Sequence, residues 1–311
     1  MISTGRNSMR VGIYGLGRMG ANMTRRLVRS GIEVVGLNRS PGPVDELRAE
    51  GAGFLPAYSI EEFLEQLPAP RIVWLMLPCG EPTEAAIEAI LPRLSKGDLL
   101  VDGANAFYQD TQRRGERIAP TGVHFMDVGV SGGVWGLKNG YCVMAGGSDE
   151  DGARIEPVLK ALAPAHDRGW AHVGPLGSGH YTKMVHNGIE YGMMQALAEG
   201  LALLKAKDPF DIDLAEVTEM WRHGSVVQSW LLDLTAEALA SDQQLEAIAP
   251  YVSDSGEGRW TAKEAIDLGV AAPVISLAMH MRFASQGNAD YGNKLLAVMR
   301  RGFGGHAIKA E

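Results

Sequence analysis

Arg10-Val11-Gly12-Ile13-Tyr14-Gly15-Leu16-Gly17-Arg18-Met19-Gly20 is the stretch that decides the fold. Its first five residues read as a buried strand. The glycines that follow fit a strand-turn-helix bend: Gly15 for the tight turn, Gly17 so that backbone can approach a pyrophosphate, and Gly20 for close packing of the next helix. That helix, expected over 21–30, aims its amides and dipole at the phosphate. Such a motif alone is weak evidence against a plain tight turn. Here strand, glycines and helix come in the right order, so Gly15-Leu16-Gly17-Arg18-Met19-Gly20 reads as the phosphate loop of a dinucleotide site.

The next strand ends in Leu37-Asn38-Arg39-Ser40, where an NAD-binding chain usually carries Asp or Glu for the ribose 2′-hydroxyl. A carboxylate would repel a 2′-phosphate. A guanidinium at Arg39 can pair with one, and Ser40 adds a hydroxyl, so NADP is favoured. NAD stays open through Asn38, and Arg39 as an ordinary solvated loop residue is the bland alternative.

Beyond this point strand and helix patterns alternate: strands at 71–76, 99–102, 124–128 and 141–145, helices at 81–94, 108–119 and 148–162, the last capped by Ser148. This predicts an α/β chain with a Rossmann-type, doubly wound parallel sheet, whose ligands sit beyond the carboxyl ends of the strands. Two loops at such ends are rich in hydrogen-bonding groups. Asn105 can reach a sugar hydroxyl and a nicotinamide, and the bare amides of Ser131-Gly132-Gly133 can hold a carboxylate. Each alone reads equally as a turn.

After Pro175-Leu176-Gly177-Ser178-Gly179 the strands give way to long helical patterns at 181–206, 214–221, 230–241, 261–268 and 274–285. The division expected is a dinucleotide-binding domain over 1–177 and an all-α substrate and oligomerisation domain over 178–311. The first of those helices sets Lys183, His186, Asn187 and Glu190 at i, i+3, i+4 and i+7, on one face about 100° wide. Met193, Met194, Leu197, Leu201 and Leu204 continue it with few charges, which predicts a buried helix. Lys183 and Glu190 then need pairing or a function, because buried charge is costly. Spacing leaves both an internal pair and a catalytic wall open. At the far end, Arg300-Arg301-Gly302-Phe303-Gly304-Gly305-His306 reads as a solvated basic tail whose glycines oppose a helix.

The totals set limits. A chain of 311 residues with 46% apolar content can bury two cores. A formal net charge of -8 argues against a general nucleic-acid or anionic-membrane surface. With no apolar run of membrane-spanning length, a soluble, cytoplasmic protein is expected. Cys79 and Cys142 suit reduced thiols better than a disulfide framework. No metal is expected, since the scattered histidines lack ligand spacing.

Several segments together resemble decarboxylating 6-phosphogluconate dehydrogenase in its shorter bacterial form, within the β-hydroxyacid dehydrogenase superfamily. They are Lys183-Met184-Val185-His186-Asn187-Gly188-Ile189-Glu190-Tyr191, Val101-Asp102-Gly103-Ala104-Asn105, Gly129-Val130-Ser131-Gly132-Gly133, Asp254-Ser255-Gly256-Glu257-Gly258-Arg259-Trp260-Thr261 and Phe303-Gly304-Gly305-His306. The resemblance implies Lys183 as general base and Glu190 as general acid. It implies that Asn105, Ser131, Gly132, Gly133, His186, Asn187 and Tyr191 hold the sugar acid. It further implies a homo-oligomer, dimer or tetramer, in which Arg300 and His306 reach a neighbour's substrate phosphate. Longer members carry a Gln-Lys-Gly-Thr-Gly-Lys-Trp signature, whose phosphate-binding lysine is missing here. Arg259, Lys263 and Arg282 are candidate replacements, with Arg282 favoured because its helix is otherwise poor in charge.

The implied chemistry is oxidation at C3 of 6-phosphogluconate, loss of CO₂ from the resulting 3-keto acid, and protonation of the enediol at C1. Lys183 must then be neutral when substrate is bound, its pKa lowered from about 10.4 by burial and by the positive end of its helix. Glu190 needs the opposite shift, by desolvation. One rival is a β-hydroxyacid dehydrogenase for a small acid such as 3-hydroxyisobutyrate, which leaves His186, Glu190 and the basic tail without a task. Another is a non-catalytic nicotinamide-binding sensor, against which a complete acid-base pair argues.

Overall fold

The structure, a computed structural model, describes residues 9–304 and 307–309. The chain divides into two compact units, Met1–Met184 and Val185–Glu311. The first alternates strand and helix: β1 (Arg10–Tyr14), α1 (Arg18–Arg29), β2 (Glu33–Leu37), α2 (Gly42–Ala49), β3 (Phe54–Ala57), α3 (Ile60–Glu65), β4 (Ile72–Leu75), α4 (Glu81–Ile90), β5 (Leu99–Asp102), α5 (Tyr108–Ile118), β6 (His124–Ser131), α6 (Gly136–Asn139), β7 (Cys142–Gly146), α7 (Asp149–Leu162) and β8 (Trp170–Gly174). Helix α8 (Ser178–Lys205) begins in this unit and continues into the second, which adds α9 (Leu214–Trp221), α10 (Trp230–Ser241), α11 (Glu257–Asp267), α12 (Pro273–Ser285) and α13 (Asp290–Gly304).

Eight strands form one sheet in the order β3-β2-β1-β4-β5-β6-β7-β8. From β3 to β6 it is parallel, with Val11 opposite Val34 and Leu75 opposite Asp102. The expectation of a wholly parallel sheet is corrected at β7, which runs antiparallel to β6. The connection over 132–141 contains a 3-10 turn and the single turn of α6, too short for the helical crossover that parallel neighbours need. Strands β1, β4 and β5 are buried on both faces. Val11, Ile13, Val34 and Val101 share one core with Leu27 of α1 and Leu159 of α7. Val35, Val73, Leu75 and Leu100 share another with Phe63, Ile87 and Ile118 of α3, α4 and α5.

Two other expectations change. Helix α1 starts at Arg18, so Gly20 lies inside its first turn. The basic tail is helical through Gly304. Tyr291, Leu295, Val298 and Gly302 recur at helical spacing, and Asp290 in the first turn complements the dipole. In the second unit Leu201, Leu214 and Leu239 form a small core. Contrary to the expected all-round burial of α8, Met193, Met194 and Leu203 are exposed, because the small second unit does not cover that face. Among the described residues no helix is long and apolar enough to cross a membrane.

Asp102, at the end of β5, shapes the loop that carries Asn105. One carboxylate oxygen accepts the Ala104 amide at 3.0 Å, and the other pairs with Arg114 of α5 at 2.7 Å. Arg114 is itself buried and also pairs with Glu84 at 2.7 Å. Removing one partner of a buried pair leaves an uncompensated charge. Arg114→Met is therefore expected to lower the unfolding free energy by about 3–5 kcal/mol. Adding Asp102→Asn should restore part of it, with urea titration of the single and double variants as the measurement.

Candidate active site

The phosphate loop is built as its glycines require. Gly15 adopts φ +105°, and a Cβ there would strike the Met76 carbonyl. A Cβ on Gly20 would collide with the Gly15 carbonyl, while Gly17 faces open space. Gly17 caps α1 without any side-chain hydrogen bond, and the first turn holds no acidic residue. Its amino-terminal amides are thus free of competing carboxylates, which fits a dinucleotide pyrophosphate. Leu16 is buried beneath the loop, and Arg18 and Met19 open α1.

Asn38 braces this loop. Its side-chain oxygen accepts the Leu16 amide at 3.0 Å, and its nitrogen donates to the Ser40 carbonyl and hydroxyl at 3.2 Å. Arg39 between them is exposed. An exposed guanidinium is therefore presented by a loop tied to the glycine turn.

Lys183 lies in the first turns of α8 and is 5% exposed. One face of the sheet is shaped to receive it. Asp127, Gly129 and Ser131 alternate along β6 and pair with Gly146, Met144 and Cys142 of β7. A Cβ on Gly129 would run into the Lys183 Cβ, and would lie 2.9 Å from the Gly179 carbonyl. A Cβ on Gly146 would lie 2.6 Å from the Gly179 amide. Only glycines let the helix come this close. Burial pushes the Cys142 thiol up, while the charge of Lys183 pulls it down, which puts Lys183 within electrostatic reach of the strand position opposite Ser131. Beyond Ser131 the chain turns through Gly132 (φ +127°) and Gly133 (φ +51°), and Gly133 faces open space. Asn105 is exposed between buried Ala104 and Ala106.

The second unit holds the remaining candidates. His186 Nδ1 lies 2.9 Å from Asn187 Oδ1 and 4.0 Å from Glu190 Oε2. The Glu190 side chain is 40% exposed, contrary to the burial expected of it. Tyr191 is buried, its ring against Gly258 and its hydroxyl 3.1 Å from Ser255 Oγ and 3.4 Å from Asp254 Oδ1. The Arg282 guanidinium stacks on that ring, 3.4 Å from its centre, and donates to the Ser253 carbonyl at 2.8 Å. Arg259 is held by Asp254 at 2.6 Å, and Lys263 is exposed on α11. Arg300 is exposed on α13, and His306 lies outside the described residues.

The first unit thus gathers Lys183, Gly129 and Ser131 at one end of β6. The second gathers Tyr191, Asp254, Ser255 and Arg282. Sequence reasoning missed Asp102, Arg114 and Asp127 as supports of these groups. The signal for Asp127 was a carboxylate inside the apolar run Phe125-Met126-Asp127-Val128.

An open phosphate loop at the head of a doubly wound sheet belongs to the nicotinamide-dependent dehydrogenases, and that is the class of this chain. Two family profiles divide it between them: the "NAD binding domain of 6-phosphogluconate dehydrogenase" matches residues 10–174, and the "6-phosphogluconate dehydrogenase, C-terminal domain" matches residues 179–299. The chain belongs to the 6-phosphogluconate dehydrogenase family. It is 40% identical to YqeC of Bacillus subtilis over 97% of this chain and 100% of that one. It is 36% identical to the NAD(+)-dependent, decarboxylating 6-phosphogluconate dehydrogenase of Haloferax volcanii, over 96% and 98%. The solved 6-phosphogluconate dehydrogenase of Plasmodium falciparum, studied with NADP+ and with 6-phosphogluconate, superposes with a TM-score of 0.82 at 29% identity, covering 97% of this chain and 66% of that one. The chain also spans 62% of the length of longer bacterial relatives.

Asp254 supplies a pH test of the second cluster. Burial pushes its carboxyl up, yet the Gly256 amide, Arg259 and Tyr191 together hold it below its ordinary value. A depressed carboxyl stabilises the fold above its unfolded pKa of about 4, and that stability is lost as pH falls through the lower folded value. Asp254→Asn should therefore lower Tm by about 2 °C at pH 7, with the difference shrinking as pH falls below about 4, read by calorimetry across that range.

Proposed function

We propose that the protein catalyses the oxidative decarboxylation of 6-phosphogluconate to ribulose 5-phosphate and CO₂ in the cytoplasm, with NADP favoured over NAD. The observation that carries this reading is the buried Lys183, seated on Gly129 beside the Ser131 loop in a chain of this family. Residues 1–177 hold the cofactor and 178–311 serve the substrate and the oligomer. Gly15, Leu16, Gly17, Arg18, Met19 and Gly20 take the pyrophosphate, Asn38, Arg39 and Ser40 the ribose end, and Asn105 both cofactor and sugar.

When bound, the nicotinamide supplies a hydride acceptor. Lys183, neutral, takes the proton of the C3 hydroxyl. Its ammonium then donates a hydrogen bond to the C3 oxygen, which draws electrons as the bond to CO₂ breaks. Glu190 delivers the proton that turns the enediol into the ketose at C1. The Ser131, Gly132 and Gly133 amides hold the carboxylate, and His186 and Asn187 bind sugar hydroxyls. Tyr191 and Arg282 face the phosphate, the stacked guanidinium standing in for the lysine of longer members. A homo-oligomer, dimer or tetramer, brings Arg300 and His306 to a neighbouring site. The exposed apolar residues of α13, with Tyr291 at 80% and Leu296 at 55%, support association of this kind.

The test is to incubate the protein with 6-phosphogluconate and either cofactor, following reduced nicotinamide and trapped CO₂. Stoichiometric amounts of both are expected, and reduction without CO₂ would overturn the reading. Lys183→Met should keep NADP binding in calorimetry and lose at least about 10³-fold in kcat. Arg282→Ala should raise KM for 6-phosphogluconate about 10-fold or more, with kcat changed less.

A further inference from the structure

Asp127 is a buried titratable group to which the mechanism gives no task. Asp127 is fully buried on β6, two residues before the glycine that seats Lys183. Both of its oxygens accept backbone amides at the head of α8: Oδ1 from Gly177 at 2.6 Å and Oδ2 from His180 at 2.6 Å. Using both oxygens as acceptors suits the ionised form. Space for the carboxylate exists because Gly146, its partner across the ladder, has no Cβ; one there would lie 2.6 Å from Oδ1.

Two further titratable groups face Asp127. His180 of α8 places Nδ1 4.0 Å from Oδ2 and shares a 2.7 Å hydrogen bond with Thr111 of α5. Asp102 of β5 acts on it electrostatically and is itself paired with Arg114. Burial, with the nearby charge of Asp102, outweighs the pull of His180 and the two amides, so the Asp127 carboxyl lies above its ordinary value, while its two short amide contacts favour the ionised form. Lys183 follows His180 by one helical turn.

We propose that Asp127 is a positioning residue for Lys183: its carboxylate fixes the first turn of α8 against β6, and its buried negative charge sets the proton affinity of the Lys183 amine. A free helix amino terminus lowers the pKa of a nearby amine, and an anion bound there opposes that effect. Asp127 thus keeps Lys183 able to hold the proton it has taken, which it needs when it turns from base to hydrogen-bond donor. This inference rests on the role of Lys183 proposed above.

The test compares wild type with Asp127→Asn, and with Asp127→Ser, whose small hydroxyl still accepts a capping hydrogen bond without charge. Two quantities are read. One is the pH profile of kcat/KM with 6-phosphogluconate. The other, independent of turnover, is the midpoint of Lys183 titration from the ¹³C shift of its Cε, assigned with Lys183→Met. In a folded neutral variant both midpoints are expected about one pH unit lower than in wild type. With them kcat should fall at least 10-fold, while KM for NADP stays within about 3-fold. An unchanged Lys183 midpoint in either folded variant, or a loss of activity that follows only the unfolded fraction, overturns the proposal. If wild type fails to turn over 6-phosphogluconate, the reaction assignment falls, and the Cε titration still decides whether Asp127 governs the amine.

Discussion

The contact on which the rest depends is the approach of the first turns of α8 to the β6–β7 ladder. Two glycines on one sheet face, Gly129 and Gly146, remove the side chains that would hold the helix off. A lysine stem occupies one of the gaps and a carboxylate the other. Strand alternation then does the spacing, because residues two apart on β6 face the same way. Cap, seat and glycine-rich loop follow one another as Asp127, Gly129 and Ser131. A helix docked this tightly has little freedom to shift, and an amine on its first turns inherits that rigidity.

The same region resolves a tension in the electrostatics. An amine near a helix amino terminus sits in a positive field, which favours its neutral form. Here the terminus is already engaged by a buried carboxylate. An ionised carboxylate there offsets part of that field. An amine that, as proposed, first accepts a proton and then uses it gains from opposed influences more than from one strong one.

Much of this was legible in the sequence where a residue type has one physical use. The glycines at 15 and 20 announce the phosphate turn because no other residue fits there, and Gly17 keeps the space beside the turn open. Strands β1, β2, β4 and β5 announce themselves as short apolar runs, whereas β3 and β8 do not, and Ser148 caps α7 through the Asp151 amide. The reversal of β7 was not legible. It follows from the length of one connection, which an apolar run does not encode. The brace made by Asn38 was hidden because a side chain at a cofactor position invites a cofactor reading. Arg282 stood out only as a charge in an apolar helix, and its stacking on Tyr191 is a tertiary fact. The glycines after Arg301 misled in the other direction, since helical spacing from Asp290 onward outweighs their intrinsic cost.

The bracing by Asn38 also bears on how cofactor choice can evolve in this chain. Aspartate at that position would keep an oxygen for the Leu16 amide but lose both donors to Ser40. A drift in coenzyme preference by that route would unfasten the segment that presents Arg39. Selection has an easier path through position 39, where the exposed side chain can change while the strut beneath it stays in place.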